Sequence, residues 1–237
     1  MTYLVLAVIL VLFVMAWRAF QRFHREQSAQ AEALRHAAVQ QGWQFEAKPV
    51  RGVELRISGT SAGIHWTVQQ DDGVGEDGVS SVTWATTAVD AQPIILYVAA
   101  AQSVQGMRGA LGDLVLRMAE EALTKKGLPA HLLGDFFTHA EDYAFASPHL
   151  NARYGVLTTS RNLARHILSP DVEKALQDWP GMTPILQIGD RNVRIYWAVS
   201  SLDAEALHRL VDLGMQLAQR QGHIGYCPAS TVGFWIR

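Results

Sequence analysis

The chain has 237 residues, of which 49% are hydrophobic and 18% charged, and its formal net charge at pH 7 is −2. This balance is typical of a folded protein, and the lack of a basic block beyond the N-terminal flank argues against a nucleic-acid partner. Cys227 is the only cysteine, which excludes an intrachain disulfide and cysteine-based zinc or iron–sulfur sites within one chain, and agrees with a reducing compartment.

The N-terminal stretch MTYLVLAVILVLFVMAW contains no charged side chain. As a helix its 17 residues span roughly 25 Å, close to the thickness of the hydrocarbon core. Tyr3 and Trp17 stand at its two ends, where aromatic side chains sit at membrane interfaces. A buried core helix would show a polar stripe, and a cleaved leader would carry a basic residue before Arg18. Residues 1–20 are therefore predicted to be a retained transmembrane anchor with the lipid bilayer as its partner.

The positive charge that follows the apolar stretch sets the expected orientation. Arg18, Arg22 and Arg25 are spaced i, i+4 and i+7, so they share one face of a helix. Basic flanks stay on the cytoplasmic side, so we expect a single pass through the inner (plasma) membrane with the N-terminus outside and the rest cytoplasmic. These arginines either contact anionic headgroups or act as a plain stop-transfer flank.

Residues 21–42 are predicted to form a juxtamembrane helix. The stretch contains no Gly or Pro before Gly42, which is a good terminating residue. We expect this helix either to continue the anchor as a stalk or to bend near Ser28 and lie on the domain.

Residues 43–127 are predicted to form a first α+β subdomain. Apolar side chains alternate or run together in WQFEA, VELRISG, GIHWTVQQ, SVTWATTAV and PIILYVAAA, with Gly, Pro, Asp and Ser between them. This pattern predicts a meander of half-buried antiparallel strands with Trp66 and Trp84 on the inward face. A helix over 107–126 follows, with apolar residues at helical spacing.

Residues 128–237 are predicted to form a second α+β subdomain. RYGVLTT has strand character, TPILQIGDRNVRIYWAVS is a hairpin that turns at GDRN and points Trp197 inward, and the tail STVGFWIR also has strand character. Helices are predicted after the cap Ser160, from Asp171, and from the cap Asp203 to Arg220.

The fold class is therefore α+β: an N-terminal transmembrane helix, then a soluble domain in which amphipathic helices are segregated from an antiparallel sheet. Both halves run from sheet to helix, which suggests two subdomains. Three tryptophans near the ends of elements are expected to be available to a partner or a membrane surface: Trp43, Trp179 and Trp235.

The glycines of VQGMRGALGDLVLR do not match a phosphate-binding motif. Gly106, Gly109 and Gly112 lack the G-x-G-x-x-G spacing, and Asp113 stands where a P-loop has lysine. Close packing of a helix on the sheet explains these residues better.

The other polar groups lack the spacing of a known site. The spacing in the acidic loop DDGVGEDG does not match the D-x-[DN]-x-[DN]-G calcium loop, which favours an exposed hairpin tip. No H-E-x-x-H or H-x-H is present, and no G-x-S-x-G surrounds a serine. No catalytic, cofactor-binding or metal-ligating residue and no cofactor is predicted. Whether any of the following has a role stays open: His131, His139 and Cys227.

The sequence thus favours a single-pass membrane-anchored protein without a predicted enzymatic activity, whose cytoplasmic interaction domain serves a membrane complex as an accessory or assembly subunit. A membrane protein is the expected partner, and the oligomeric state is not predicted. One alternative is a membrane-tethered hydrolase with a site assembled from separated residues, such as His139 or His149 beside a carboxylate. Another is a module that binds lipid or a small ligand.

Overall fold

The computed structural model describes residues 15, 17, 18, 21, 28–50, 52–71, 80–86, 93–108, 136–189, 192–199 and 202–224. Most of the predicted anchor, including Tyr3, lies outside these residues, as do Arg22 and Arg25. Trp17 and Arg18 are helical and exposed. Among all the described residues, no helix is long and apolar enough to cross a membrane. The transmembrane anchor therefore stays a prediction.

Nine strands of the described residues form one antiparallel sheet in the order β1-β2-β3-β4-β9-β8-β5-β7-β6. The strands are β1 (Gln44–Ala47), β2 (Val53–Ser61), β3 (Ile64–Asp71), β4 (Ser80–Thr86), β5 (Ile94–Ala100), β6 (Glu141–Tyr143), β7 (Tyr154–Thr158), β8 (Ile185–Gly189) and β9 (Val193–Val199). The predicted combination of an antiparallel sheet with helices is confirmed, as are the meander β1-β2-β3-β4 and the hairpin β8-β9. The prediction that β5 continues this meander was wrong, because β4 pairs with β9 and β5 pairs with β7 and β8.

The described helices stand before β1, directly after β5, and among and after the later strands. They are α1 (28–40), α2 (Ala101–Arg108), α3 (Pro148–Arg153), α4 (Arg161–Ile167), α5 (Pro170–Gln177) and α6 (Ala204–Ile224), with a helical turn at 136–139. Ser160 caps α4 by accepting a hydrogen bond from the Leu163 N–H, and Asp203 Oδ1 caps α6 by accepting from the Ala206 N–H at 2.7 Å. Both predicted caps are confirmed.

Two helix starts differ from the sequence expectation. The helix expected from Met107 begins at Ala101, directly after β5, and its described part ends at Arg108. The helix expected from Asp171 begins at Pro170, because proline fits the first helical turn, where its missing N–H has no helical partner.

The main core lies between one face of the sheet, called the inner face here, and five of the helices. Alternation along β3, β4 and β9 places Trp66, Trp84 and Trp197 on this face, with exposures of 0%, 0% and 5%. The predicted inward positions of these tryptophans are confirmed. Helix α6 crosses the face so closely at Gly214 that a Cβ atom there would lie 2.4 Å from Trp84.

Helix α1 lies on the inner face near the β1 edge, so it lies on the domain as one of the two expected arrangements requires, and residues 22–27, which lead to the bend expected near Ser28, lie outside the described residues. Leu34 and Ala38 are buried, and Gln30 Nε2 donates a hydrogen bond to the carbonyl oxygen of Leu202 at 2.6 Å. The helix ends before Gly42, whose φ of 72° suits glycine, and Trp43 then packs edge-on against Trp66.

The order of the strands mixes the two halves of the chain. Strand β4 pairs with β9, and β5 lies between β8 and β7. Strands from 43–127 and from 128–237 are therefore neighbours in one sheet, and the division into two subdomains stays a prediction.

Candidate functional site

The face of the sheet opposite the main core, called the outer face here, is covered on the β5–β7 side. Tyr97 and Leu157 belong to a small apolar cluster with Val104 of α2 and Phe136 of the turn at 136–139. Gly155 allows α2 to come close, because a Cβ atom at this position would lie 2.6 Å from Val104. This half of the outer face is thus closed by its own chain.

The other half of the outer face, across β1–β4, β9 and β8, carries mainly polar side chains. The strand pairing aligns these residues in two rows that cross the sheet, called rungs here. Because side chains alternate between the two faces of a strand, both rungs lie on the face opposite the buried inner residues. We call this surface the polar face, and its members are Glu46, Arg56, Gln69, Thr83 and Tyr196 in one rung and Ser58, Thr67, Ala85, Arg194 and Gln187 in the other.

The side chains of the polar face are half-buried by their neighbours, apart from the exposed Glu46 at the edge of the sheet. Arg56 Nη1 lies 3.6 Å from Glu46 Oε2 across the β1–β2 pair. When the amide oxygen of Gln69 faces Arg56, it accepts hydrogen bonds from Nε at 3.0 Å and Nη2 at 3.1 Å. Cross-strand pairs of this kind fix the positions of long side chains before any partner arrives.

Arg194 differs from Arg56 in having no ion pair with a described residue. It pairs with Ala85 on β4 and with Gln187 on β8, so neither residue paired with it carries a charge. Arginine is enriched at the centres of protein interfaces.

Tyr97 and Tyr196 meet where the polar face borders the apolar cluster. Burial, with a smaller contribution from the nearby Tyr196, raises the pKa of Tyr97 to about 12. Tyr97 therefore keeps its proton at neutral pH.

Burial also raises the pKa of Tyr154 to about 12, against the opposing effect of the neighbouring Arg153. The Tyr154 hydroxyl donates to the carbonyl oxygen of Leu176 at 2.9 Å inside the main core. This tyrosine joins β7 to the end of α5, so its shifted pKa has a structural cause and marks no reactive group.

The candidates that the sequence singled out do not converge on one place. His139 and His149 are both exposed, and the part of the chain that the structure describes contains no group of three or more residues able to hold a metal ion. Asp71 accepts a hydrogen bond from the Ser81 hydroxyl at 2.5 Å at the base of the acidic loop. His131, Cys227 and the tip of that loop lie outside the described residues.

The tryptophans expected near element ends differ in their surroundings. Trp179 is buried, with 4% exposure, and packs edge-on against Trp197 at 5.0 Å, so the expectation that it is available to a partner was wrong. Trp43 is partly buried against Trp66 and the ring of His208, and Trp235 lies outside the described residues. The buried indole nitrogens of Trp84, Trp179 and Trp197 have no hydrogen-bond partner among the described residues.

Sequence reasoning missed Arg194 and Tyr196. Both occupy the outward positions of VRIYWAV, whose inward positions belong to the core. That alternation was the available signal, but it does not reveal which strands stand on either side.

Comparison with known proteins gives little further information. No protein-family model matches the chain, and no curated protein matches it. A solved structure with some likeness is the crystal structure of the mycobacterial trehalose monomycolate transport factor A, with 10% sequence identity and a TM-score of 0.42. The match covers 82% of this chain and 93% of the other. Values this low assign neither a fold family nor an activity.

Proposed function

We propose that the protein is a membrane-anchored accessory subunit whose cytoplasmic domain binds a partner protein of a membrane complex through the polar face. The observation that carries this proposal is the difference between the two halves of the outer face. Apolar side chains covered by α2 and the turn at 136–139 close one half, whereas the other half presents ordered polar side chains.

The size of the polar face suits a weak or transient contact. Six strands at a spacing of about 4.8 Å, each about six residues long, give roughly 29 Å by 20 Å, or close to 580 Å² in projection. Transient interfaces bury less than about 600 Å² on each partner, so a surface of this size is sufficient. Its composition also fits, because tyrosine and arginine are enriched at interfaces.

The chemistry of the partner follows from the charges. Arg56 already has Glu46 beside it, whereas Arg194 has no described counter-charge. We therefore propose that the partner places a carboxylate opposite Arg194 and hydrogen-bonding groups opposite Thr67 and Gln187. Reversing the charge at Arg194 would then set two carboxylates against each other.

The anchor contributes by confining the domain to the membrane surface. An apolar stretch of 17 residues followed by Arg18, Arg22 and Arg25 supports a single inner-membrane pass with the domain on the cytoplasmic side. Confinement raises the effective concentration for a partner in the same membrane, so a small interface of modest affinity is enough.

The test uses a photo-crosslinking amino acid at Thr67 in the full-length chain in intact cells. We expect a defined adduct with a membrane protein, and we expect Arg194→Glu to reduce it at least fivefold. Lys174 is exposed on α5, on the other side of the molecule, so Lys174→Glu is the matched charge reversal and should leave the adduct unchanged. A folded, membrane-bound chain that gives no adduct from Thr67, or an adduct equally sensitive to both reversals, would refute the proposal.

A further inference from the structure

The loop between α5 and β8, residues 178–184, holds an apolar side chain away from the domain. Met182 is 61% exposed, whereas Trp179 in the same loop is buried. Arg153 Nη2 donates to the carbonyl oxygens of Trp179 at 2.9 Å and Gly181 at 3.0 Å. The backbone leading to Met182 is therefore fixed, and this side chain is presented by an anchored loop.

This loop lies at the same end of the sheet as the segment that follows β9. Ile185, the first residue of β8, pairs with Tyr196 of β9. Met182 stands three residues before Ile185, and β9 ends at Val199, three residues after Tyr196. Since the two strands are antiparallel, the chain before β8 and the chain after β9 lie at the same end of the sheet, and Leu202 follows there.

The direction of helix α1 shows at which end of the sheet the helix begins. Its first turn is tied to this end by the hydrogen bond from Gln30 to Leu202. Beyond its last turn Trp43 packs on Trp66, which pairs with Thr86 at the opposite end of the sheet. The helix axis therefore runs from the Met182 end to the opposite end, and Ser28, its first residue, lies on the Met182 side.

The length of that preceding chain limits how far the domain can stand from the membrane. Arg18, the first residue of the predicted cytoplasmic flank, is ten residues before Ser28. Ten residues span roughly 15 Å as a helix and at most about 36 Å when extended. The end of the domain that carries Met182 is thus the end nearest to the predicted anchor.

From these observations we propose that the Met182 end of the sheet faces the bilayer and that Met182 contacts the boundary between lipid headgroups and acyl chains. This placement rests on the membrane anchoring in the proposed function. The contact is apolar and not electrostatic, because Asp178 and Asp203 are exposed at the same end and anionic headgroups would repel them. An unbranched, flexible methionine suits an irregular lipid surface. The polar face then stands at right angles to the membrane, accessible from the side.

The experiment measures how close Met182 comes to the lipid. The full-length chain with Cys227→Ser and Met182→Cys carries an environment-sensitive fluorophore in phosphatidylcholine nanodiscs, with or without a nickel-chelating lipid as quencher. The matched control is Gln40→Cys, because Gln40 is exposed at the other end of α1. We expect the nickel-chelating lipid to quench the probe at position 182 at least threefold more than the probe at position 40.

The outcomes separate this placement from the anchoring itself. Equal quenching at the two positions, in a chain that stays with the membrane through a sodium carbonate wash, overturns the placement and leaves the anchoring intact. Release of the chain by that wash overturns the anchoring, and the placement with it.

Discussion

Helix α6 lies over Trp84 with no room for a side chain at Gly214, and a single methyl group tests this packing. A Cβ atom there would lie 2.4 Å from Cδ2 and Cε2 of the indole and 2.7 Å from Cε3. Carbon atoms rest at about 3.5–4.0 Å, so helix and ring must separate by roughly 1 Å. Trp84 is completely buried in the main core and cannot turn into solvent.

The expected change in stability is the difference between two effects. Overpacking a well-packed core costs about 1–3 kcal/mol, and a methyl group 2.4 Å from a completely buried ring puts the cost in the upper part of that range, about 2–3 kcal/mol. Replacing glycine by alanine inside a helix returns about 1 kcal/mol. We expect Gly214→Ala to lower the free energy of unfolding by about 1–2 kcal/mol. Gly222 lies near the end of the same helix, and a methyl group added to it would meet nothing within 4 Å, so Gly222→Ala should raise the free energy of unfolding by about 0.5–1 kcal/mol.

The assay is urea unfolding of the full-length chain in detergent, followed by far-ultraviolet circular dichroism. With an m-value of about 2 kcal/mol per molar urea, the two variants should differ in midpoint by about 1 M. Trp84→Leu in the Gly214→Ala background should recover part of the loss, which a double-mutant cycle measures as a coupling energy. If Gly214→Ala is as stable as the unsubstituted chain while Gly222→Ala is more stable, α6 does not approach Trp84 as described.

Three further predictions concern capping, buried hydrogen bonds and pH. Asp203→Ala removes the acceptor for the Ala206 N–H and should cost about 1 kcal/mol in urea unfolding, whereas Asp203→Asn, which keeps an acceptor oxygen, should cost less than half of that. Thr158→Val removes a buried hydroxyl whose single proton lies between two acceptors, the carbonyl oxygens of Ile95 at 3.1 Å and Ser160 at 2.9 Å. The same hydroxyl oxygen accepts a hydrogen bond from the Ser160 N–H at 3.1 Å. The free energy of unfolding should therefore fall by about 1–2 kcal/mol, and an unchanged urea midpoint would contradict these bonds. Tyr97 and Tyr154 have pKa values of about 12 in the folded protein, against 10 in the unfolded chain. The stabilisation from their raised pKa values is therefore complete below pH 10. As the pH rises from 10 to 12, the free energy of unfolding should fall by on the order of 2 kcal/mol per tyrosine. Absorbance at 295 nm should show two tyrosines that ionise only near pH 12, and complete ionisation by pH 11 in the folded protein would count against their burial.

Much of the local structure is determined by neighbouring residues along the chain. The two-residue period of GIHWTVQQ and VRIYWAV places Trp66 and Trp197 in the core, because alternation alone decides which side chains share a face of a strand. The caps Ser160 and Asp203 are recognisable for the same reason, since a cap interacts with the backbone only two or three residues away.

Local sequence patterns could not predict the polar face, because strand order depends on contacts between residues far apart in sequence. Trp84 pairs with Ile195, and Ala85 with Arg194, across more than a hundred residues. Local pattern shows that Arg194 points outward but does not show that Thr67 and Ala85 share its rung. The sequence by itself therefore determined most of the strands, the caps of two helices and the inward faces of the strands, and it predicts the anchor. The tertiary structure alone decided which outward side chains form one surface and which end of the sheet the chain enters, because both depend on long-range pairing that no local period encodes.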